Sequence, residues 1–343
     1  MIPIRVVDYV AVALCAPLTL IAAGVAQAQT PSTGSVQAAS TSSGQAYPAK
    51  AVRVVIPWPP GGSNDLVGRV VMQKVSESLG HQFVVDNRGG ASGSIGAESV
   101  VKSPPDGYTI MVHSTTHLGN QYIYKKLPYD VIKDFAPVGT LAAQPGVLAT
   151  HPALPVKTVK EFVALAKARP GQINYSSSGN GSAPHLSMAL LTSMAGINLV
   201  HVPYKGGAPQ VMALVGGESQ ASMATISTVI THVKSGRLRA LGVSSAKRSG
   251  MMPDVPTIAE AGVPGYEMSP WIGVYAPAQT PKVIIDKLNV EINKALKNPD
   301  VAQSLTNQVL DPMPGTPEDF ARRIKVDFEK YGKLIKMTGV KVD

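Results

Sequence analysis

The sequence predicts an α/β protein with two domains, each built on a mostly parallel sheet with flanking helices. Short β-branched strands alternate with helical segments along most of the chain, which is typical of parallel sheets. A unit of strand, small-residue loop and helix start at 52–65 recurs at 173–185 with a different sequence. With 343 residues, 44% of them hydrophobic and 15% charged, the chain is long enough to bury two moderate cores.

The first 28 residues have the pattern of a secretory signal peptide. Arg5 precedes an apolar run at 10–23, and Ala26-Gln27-Ala28 forms an A-x-A cleavage site, so we expect export and cleavage after Ala28. The apolar run is too short for a membrane span. Cys15, the single cysteine, lies in this segment, so the mature chain has no disulfide. Residues 29–46 are small and polar, and we expect them to form a flexible leader.

The stretch 52–65 reads as a buried strand, a stiff turn and the start of a helix. The turn is Pro57-Trp58-Pro59-Pro60-Gly61-Gly62, and Ser63, Asn64 or Asp65 can cap the helix. Free N–H groups at a helix start favour a carboxylate or a phosphate. No Lys-Ser/Thr follows the glycines and no G-x-G-x-x-G occurs, which disfavours a nucleotide loop. A turn that caps itself and binds nothing explains the same residues, so both interpretations stay open at this point.

The remaining elements of the first domain place a second polar loop beside this turn. We predict strands at 83–85 and 108–113 with a helix at 97–102 between them. Ligands of parallel sheets collect at the carboxyl ends of the strands. The loops 57–65 and 114–120 are therefore expected to lie at the same edge.

The second domain repeats this plan after a proline-punctuated passage at 127–155. Thr158 and Glu161 form a T-x-x-E capping box, which predicts a helix to residue 168. A strand, a serine- and glycine-rich loop and an apolar helix follow at 173–194, and further strands are predicted at 199–202, 221–226 and 238–243. Two later helices begin near 280 and 316, with apolar faces that we assign to the core.

A series of motifs resembles one known family. The motifs are Tyr47-Pro48, Pro57-Trp58-Pro59-Pro60-Gly61-Gly62 with Asp65, Pro105-Asp106-Gly107-Tyr108-Thr109, Tyr175-Ser176-Ser177-Ser178-Gly179-Asn180-Gly181, His201-Val202-Pro203-Tyr204-Lys205-Gly206 and Pro253-Asp254-Val255-Pro256-Thr257. From about Tyr47 to the C-terminus, the chain resembles the Bug-type, TctC-like receptors of tripartite tricarboxylate transporters. The resemblance implies a two-lobed, Venus-flytrap periplasmic-binding-protein fold of type II, with the ligand cleft between the lobes. It assigns 47–149 and 269–343 to the first lobe and 150–268 to the second.

The same resemblance implies the function. It is that of a periplasmic receptor without a cofactor, which captures a small aliphatic or aromatic mono- or dicarboxylate and delivers it to the integral-membrane subunits of a transporter. The implied ligand-binding residues of the first lobe are Trp58, Pro60, Gly61, Gly62, Ser63, Asp65, Ser114, Thr115 and His117. Those of the second lobe are Ser176, Ser177, Ser178, Gly179, Asn180, Gly181, His185, Ala224 and Thr225.

One departure from the family pattern bears on the ligand. Met223-Ala224-Thr225 stands where the family often has a Phe-Asp-Asn-type triplet, whose acidic group can receive the ammonium of an amino acid. Its loss argues against an amino-acid ligand. Trp58 stands where Phe is common and can pack either on a ligand ring or in the core.

Other classes of function have weaker support. A hydrolase is disfavoured because no G-x-S-x-G elbow occurs, although Ser182 and His185 lie together at a helix start. His113 and His117 are four residues apart but lack the H-E-x-x-H glutamate, which disfavours a metal site. Nucleic-acid binding is disfavoured because the net charge of +9 is scattered rather than gathered in a stripe. A receptor that passes its liganded form to a sensor kinase would use the same cleft and stays open as the alternative.

Overall fold

The computed structural model describes residues 47–340. The predicted signal peptide, leader and Cys15 lie outside the described residues. Within 47–340, no helix has both the length and the apolarity that crossing a bilayer requires.

The described residues form these strands in chain order: β1 Val52–Ile56, β2 Phe83–Asn87, β3 Thr109–Ser114, β4 Phe135–Ala143, β5 Gly146–Thr150, β6 Asn174–Ser177, β7 Val200–Pro203, β8 Ala221–Thr225, β9 Arg239–Val243, β10 Trp271–Pro277 and β11 Asp311–Pro312. The helices are α1 Ser63–Leu79, α2 Ser94–Val101, α3 Thr116–Ile123, α4 Val159–Ala168, α5 Ala183–Ala195, α6 Gly207–Val215, α7 Ile226–Lys234, α8 Lys282–Lys297, α9 Pro299–Asn307 and α10 Pro317–Thr338.

The strands form two sheets, and both are mixed rather than mostly parallel. The first has the order β11-β4-β10-β3-β1-β2, with β1 parallel to β2 and β3 but β10 antiparallel to β3 and β4. The second has the order β7-β6-β8-β5-β9, with β6 parallel to β7 and β8 but β5 antiparallel to β8 and β9. The antiparallel pairs arise where the chain passes between the sheets and returns. The fold is therefore the predicted α/β two-lobed one, with a corrected strand direction.

The passages between the sheets lie where sequence analysis predicted no strands. β4 belongs to the first sheet and β5 to the second, and the chain returns to the first sheet at β10. The two connections touch, because the Gln144 N–H donates to the Pro270 carbonyl at 2.8 Å. The lobe limits at 150 and 268 stay a prediction.

The C-terminal helix α10 packs against both lobes. Phe320 and Ile324 lie in an apolar cluster with Tyr275 of the first sheet. Tyr331 and Ile335, farther along the same face, join a cluster with residues of the second sheet. The apolar face predicted from helical spacing is therefore core, and it links the two lobes.

Three predicted helix starts differ in their capping. At Thr316, the hydroxyl accepts the Asp319 N–H and the Asp319 carboxylate accepts the Thr316 N–H, so a capping box forms at this predicted helix start. Thr158 accepts the Glu161 N–H at 3.1 Å, but the Glu161 carboxylate accepts the N–H of Lys157 rather than that of Thr158. At the helix predicted near 280, Pro281 directly precedes α8, and no side chain caps this helix start.

Candidate functional site

Five helices begin at one small cavity between the two sheets. Its lining consists of Trp58, Gly62, Ser63, Asn64, Ser114, Thr116, Gln144, Ser178, Ala183, Pro184, Gly207, Gln210 and Thr225. These residues include the first residues, or the residue just before the start, of α1, α3, α5, α6 and α7. The loops at the strand ends of both lobes therefore face a common space.

The chemistry of this lining suits an anion. The first N–H groups of each helix have no partner within the helix, and each helix start carries partial positive charge. None of the residues that line the cavity is charged. An anion there is held by N–H groups, hydroxyls and amides, and helix starts of this kind bind carboxylates and phosphates readily.

The cavity is small because the lobes are close together. Its volume is about 30 Å³. One water needs roughly 10–15 Å³ of such volume, whereas ligand sites commonly measure roughly 300–1,000 Å³. The space accommodates a group about the size of one carboxylate, so a larger ligand requires the lobes to separate before they close on it.

Direct contacts join the lobes around the cavity. The Ala183 N–H at the start of α5 donates to the Thr116 hydroxyl at 3.0 Å, and the Ser92 hydroxyl donates to the Asn180 carbonyl. A Cβ atom added at Gly206 would lie 3.1 Å from Pro59 Cδ, so the two turns also approach closely. Thr116 thereby uses an N–H group that a ligand would otherwise reach.

Asp65 is occupied by the protein itself. Its Oδ2 accepts the Gly61 N–H at 3.0 Å, and its Oδ1 accepts from Arg69 and Asn87 at 2.9 Å each. Burial raises the pKa of Asp65, but these hydrogen bonds outweigh that effect and lower it overall. No side chain caps α1 at Gly62, so Asp65 stabilises the turn before the helix instead of capping it in the expected way.

The glycine turn of the first lobe is only partly at the cavity. Gly62 and Ser63 line it, as does Asn64, which was expected only as a cap. Pro60 and Gly61 are exposed and lie outside the lining.

Trp58 belongs both to the core and to the cavity. It is 7% exposed, packs in the apolar cluster of the first sheet and lines the cavity. Its Nε1–H donates to His113 Nδ1 at 3.4 Å, with the two rings edge to face. Both sequence interpretations of Trp58 are thus compatible with its position.

His117 and Thr115 point away from the cavity. His117 is fully buried against Phe135 and Tyr275, at ring distances of 4.5 and 5.1 Å, and neither of its ring nitrogens has a hydrogen-bond partner in the described residues. Burial lowers the pKa of His117 to about 3. The Thr115 hydroxyl accepts from Tyr331 at 2.8 Å. Ser114, the last residue of β3, does line the cavity.

Most predicted residues of the second loop hold the loop in shape. Ser176 donates to the Gln210 carbonyl at 3.2 Å, and the Ser177 hydroxyl accepts the Gly179 N–H at 3.2 Å. The Gly181 N–H donates to His185 Nδ1 at 2.9 Å. Of the seven residues predicted at 176–181 and 185, only Ser178 lines the cavity.

Two stacked histidines, His185 and His201, pack against this loop. The His185 and His201 rings stack at 3.8 Å, and His201 Nε2 lies 2.6 Å from the Ser177 hydroxyl. Burial lowers the pKa of His185 to about 3, with a further contribution from His201, and lowers that of His201 to about 4. Both rings are neutral at pH 7, so they position the loop without adding charge.

At the end of β8, the two predicted residues separate. Ala224 packs in the core, while Thr225 lines the cavity and accepts from Gln144 Nε2 at 3.0 Å. Sequence analysis missed Asn64, Thr116, Gln144, Ala183, Pro184, Gly207 and Gln210 as lining residues. Most of them lie at predicted helix starts, which is the signal that could have found them. Gln144 lies between strands that were not predicted and had no such signal.

Two larger grooves lie elsewhere on the first lobe. One of about 550 Å³ runs along α10 and includes Arg322 and Asp327, and one of about 650 Å³ lies between α1 and β2 and includes Arg69 and Glu77. Neither contains the start of a helix that reaches the central cavity. Within the described residues, no three His, Cys, Asp or Glu side chains group as metal ligands.

The chain matches one protein family over most of its length. Residues 67–340 match the family model described as "Tripartite tricarboxylate transporter family receptor". The chain is 36% identical over 302 residues to Protein BugT of Bordetella pertussis, which covers 88% of this chain and 93% of that protein.

Solved structures agree in fold. The R. palustris protein Rpa4515, solved with adipate, has a TM-score of 0.83 at 35% identity, covering 86% of this chain and 99% of that one. MatC from Rhodopseudomonas palustris, solved with bound malate, has a TM-score of 0.81 at 29% identity. The match covers 84% of this chain and 100% of that one.

Proposed function

We propose that this chain, which belongs to the tripartite tricarboxylate transporter receptor family, binds a small organic carboxylate in the periplasm and delivers it to the membrane subunits of such a transporter. The Bug-type members of this family are solute-binding receptors and not enzymes. One observation carries the proposal. Five helix starts converge on a cavity whose lining has no charged side chain. Similar proteins were solved with adipate and with malate, and both of these ligands are dicarboxylates.

A binding site made of neutral hydrogen-bond donors suits a transport receptor. Charge-assisted hydrogen bonds to a carboxylate are stronger than neutral ones, and water is excluded once the lobes close. Because no arginine or lysine lines the cavity, binding depends on donors from both lobes being brought together. Closure then stabilises the bound state, and reopening at the membrane subunits releases the ligand.

The cavity lining also disfavours an ammonium group on the ligand. It contains no aspartate or glutamate, and Ala224 and Thr225 occupy the position where an acidic residue can receive an ammonium group. A cation would lie among positive helix ends without a counter-charge. The proposal therefore favours carboxylates without an amino group.

A binding panel tests the proposal. Purified protein is titrated with aliphatic and aromatic mono- and dicarboxylates, with the matching neutral amides as controls, and followed by thermal unfolding and by tryptophan fluorescence. A ligand at a hundred times its dissociation constant should add roughly 2.7 kcal/mol to the free energy of unfolding. Trp58 lines the cavity whereas Trp271 is buried outside it, so we expect Trp58→Phe to abolish the fluorescence change and to leave the thermal shift. If amides and carboxylates bind equally, or if no carboxylate binds, the proposal fails.

A further inference from the structure

Two amide oxygens at the cavity have no hydrogen-bond partner. Asn64 and Gln144 both line the cavity, and each is only 6% exposed. Asn64 Oδ1 and Gln144 Oε1 are buried and make no hydrogen bond within the described residues. Buried acceptors of this kind are nearly always satisfied in folded proteins, because an unsatisfied one loses its bond to water without replacement.

The surroundings hold Gln144 in place. Its Nε2 donates to the Thr225 hydroxyl at 3.0 Å, and its backbone N–H donates to the Pro270 carbonyl at 2.8 Å. Gln144 thus lies where the chain passes between the lobes and contacts the start of α7. Asn64 is the second residue of α1, directly after Ser63. Asn64 therefore comes from the first helix of the first lobe and Gln144 from the connection between the lobes, and the amide oxygen of each is unsatisfied.

A carboxylate alone does not satisfy these two oxygens. An ionised carboxylate only accepts hydrogen bonds, as the amide oxygens do, and the helix starts already supply donors for it. A hydroxyl group can donate one hydrogen bond, so it can satisfy one of these oxygens. An ammonium group donates too, but the lining offers it no counter-charge.

Resting on the proposed carboxylate function, we infer that the ligands of this receptor are hydroxycarboxylates, whose hydroxyl group donates to one of the two free amide oxygens, Asn64 Oδ1 or Gln144 Oε1. The helix starts bind the carboxylate, and the amide that accepts from the hydroxyl distinguishes a hydroxylated ligand from its plain counterpart. That amide belongs to a specificity-determining residue.

Matched ligand pairs test this inference. Isothermal titration calorimetry compares propionate with lactate, succinate with malate, glutarate with 2-hydroxyglutarate, adipate with 2-hydroxyadipate and 3-phenylpropionate with phenyllactate. We expect the hydroxylated member of the best-binding pair to bind about tenfold more tightly, since a satisfied buried acceptor is worth about that factor. Equal affinities, or tighter binding of the plain member, overturn the inference but leave the carboxylate function standing. If neither member of any pair binds, the proposed function fails and the inference fails with it.

Variants then assign the preference to residues. Asn64→Leu and Gln144→Met replace the amide by an apolar group of similar shape, so one of the two variants should lower the preference to within about twofold. Gln303→Met is the matched control, because it removes an exposed amide on α9, outside the cavity, and it should retain the preference. A preference that persists in both amide variants overturns the assignment to these residues. Thermal unfolding of each variant checks that it is folded.

Discussion

Adjacent glycines in the first loop separate ligand binding from stability. Gly62 lines the cavity and has φ −81° and ψ 165°, a conformation that alanine adopts freely. A Cβ atom at Gly62 would meet only the Pro59 carbonyl, at 3.9 Å, so a methyl group there extends into the cavity. Gly61 has φ +84°, is exposed and lies outside the cavity. Alanine at these two positions should therefore have opposite effects.

The expected changes in affinity and in the free energy of unfolding follow from the positions of the two glycines. In Gly62→Ala, a methyl group takes a large part of a cavity of about 30 Å³, and overpacking of this kind costs roughly 1–3 kcal/mol, or about fivefold to 150-fold in affinity. The same change restricts the unfolded chain and should raise the free energy of unfolding by roughly 0.4–1 kcal/mol. Gly61→Ala forces a left-handed backbone on alanine at roughly 1–2 kcal/mol, partly offset by the same entropy gain, so it should lower stability by about 1 kcal/mol.

Two measurements on each variant decide the matter. Calorimetry with the tightest ligand of the panel gives the affinity, and urea denaturation of the free protein gives the free energy of unfolding. We expect Gly62→Ala to lose affinity without losing stability and Gly61→Ala to lose stability without losing affinity. Unchanged affinity in Gly62→Ala would show that the start of α1 does not bind the ligand and that the binding site lies elsewhere.

Two further predictions concern acid stability and closure. Burial lowers the pKa of His117 to about 3, so the unfolded chain binds one more proton than the folded chain as the pH falls from about 6.5 towards 3. Stability should therefore fall with decreasing pH in this window, and His117→Phe should reduce the slope by roughly 1 kcal/mol per pH unit, averaged between pH 7 and 4.5, in urea denaturation; an unchanged slope contradicts the assignment. Thr116→Val removes the acceptor of the Ala183 N–H, so the ligand-free protein should open and its radius of gyration in small-angle X-ray scattering should rise, whereas Thr116→Ser should stay compact. Equal radii for the two variants would mean that this bond does not hold the lobes together.

The local pattern of the chain was enough to predict the starts of α1 and α5, two of the five helices that begin at the site, whereas those of α3 and α7 were not predicted. The proline-glycine turn before α1 and the serine-rich loop before α5 were both found because their residues punctuate the backbone in a way that depends on near neighbours. The α/β class followed from the alternation of strands and helices. The resemblance to a receptor family, carried by motifs in a fixed order, agrees with the match over residues 67–340.

Which side chains face the ligand depends on contacts between residues far apart in the sequence. Asp65 was expected at the ligand, but Asn87, 22 residues farther along the chain, donates to its carboxylate, as does the nearby Arg69. His117 follows a strand that ends at the cavity, yet its ring turns into an aromatic cluster that includes Tyr275, distant in sequence. Gln144 reaches the cavity because β4 and β5 carry the chain between two sheets, and no local pattern marks that crossing. Sequence alone therefore determined the two loops, before α1 and α5, that bring backbone donors to the site. The packing of the two lobes decided which other helix starts and which side chains join them, since burial and hydrogen bonding are satisfied only in the assembled fold.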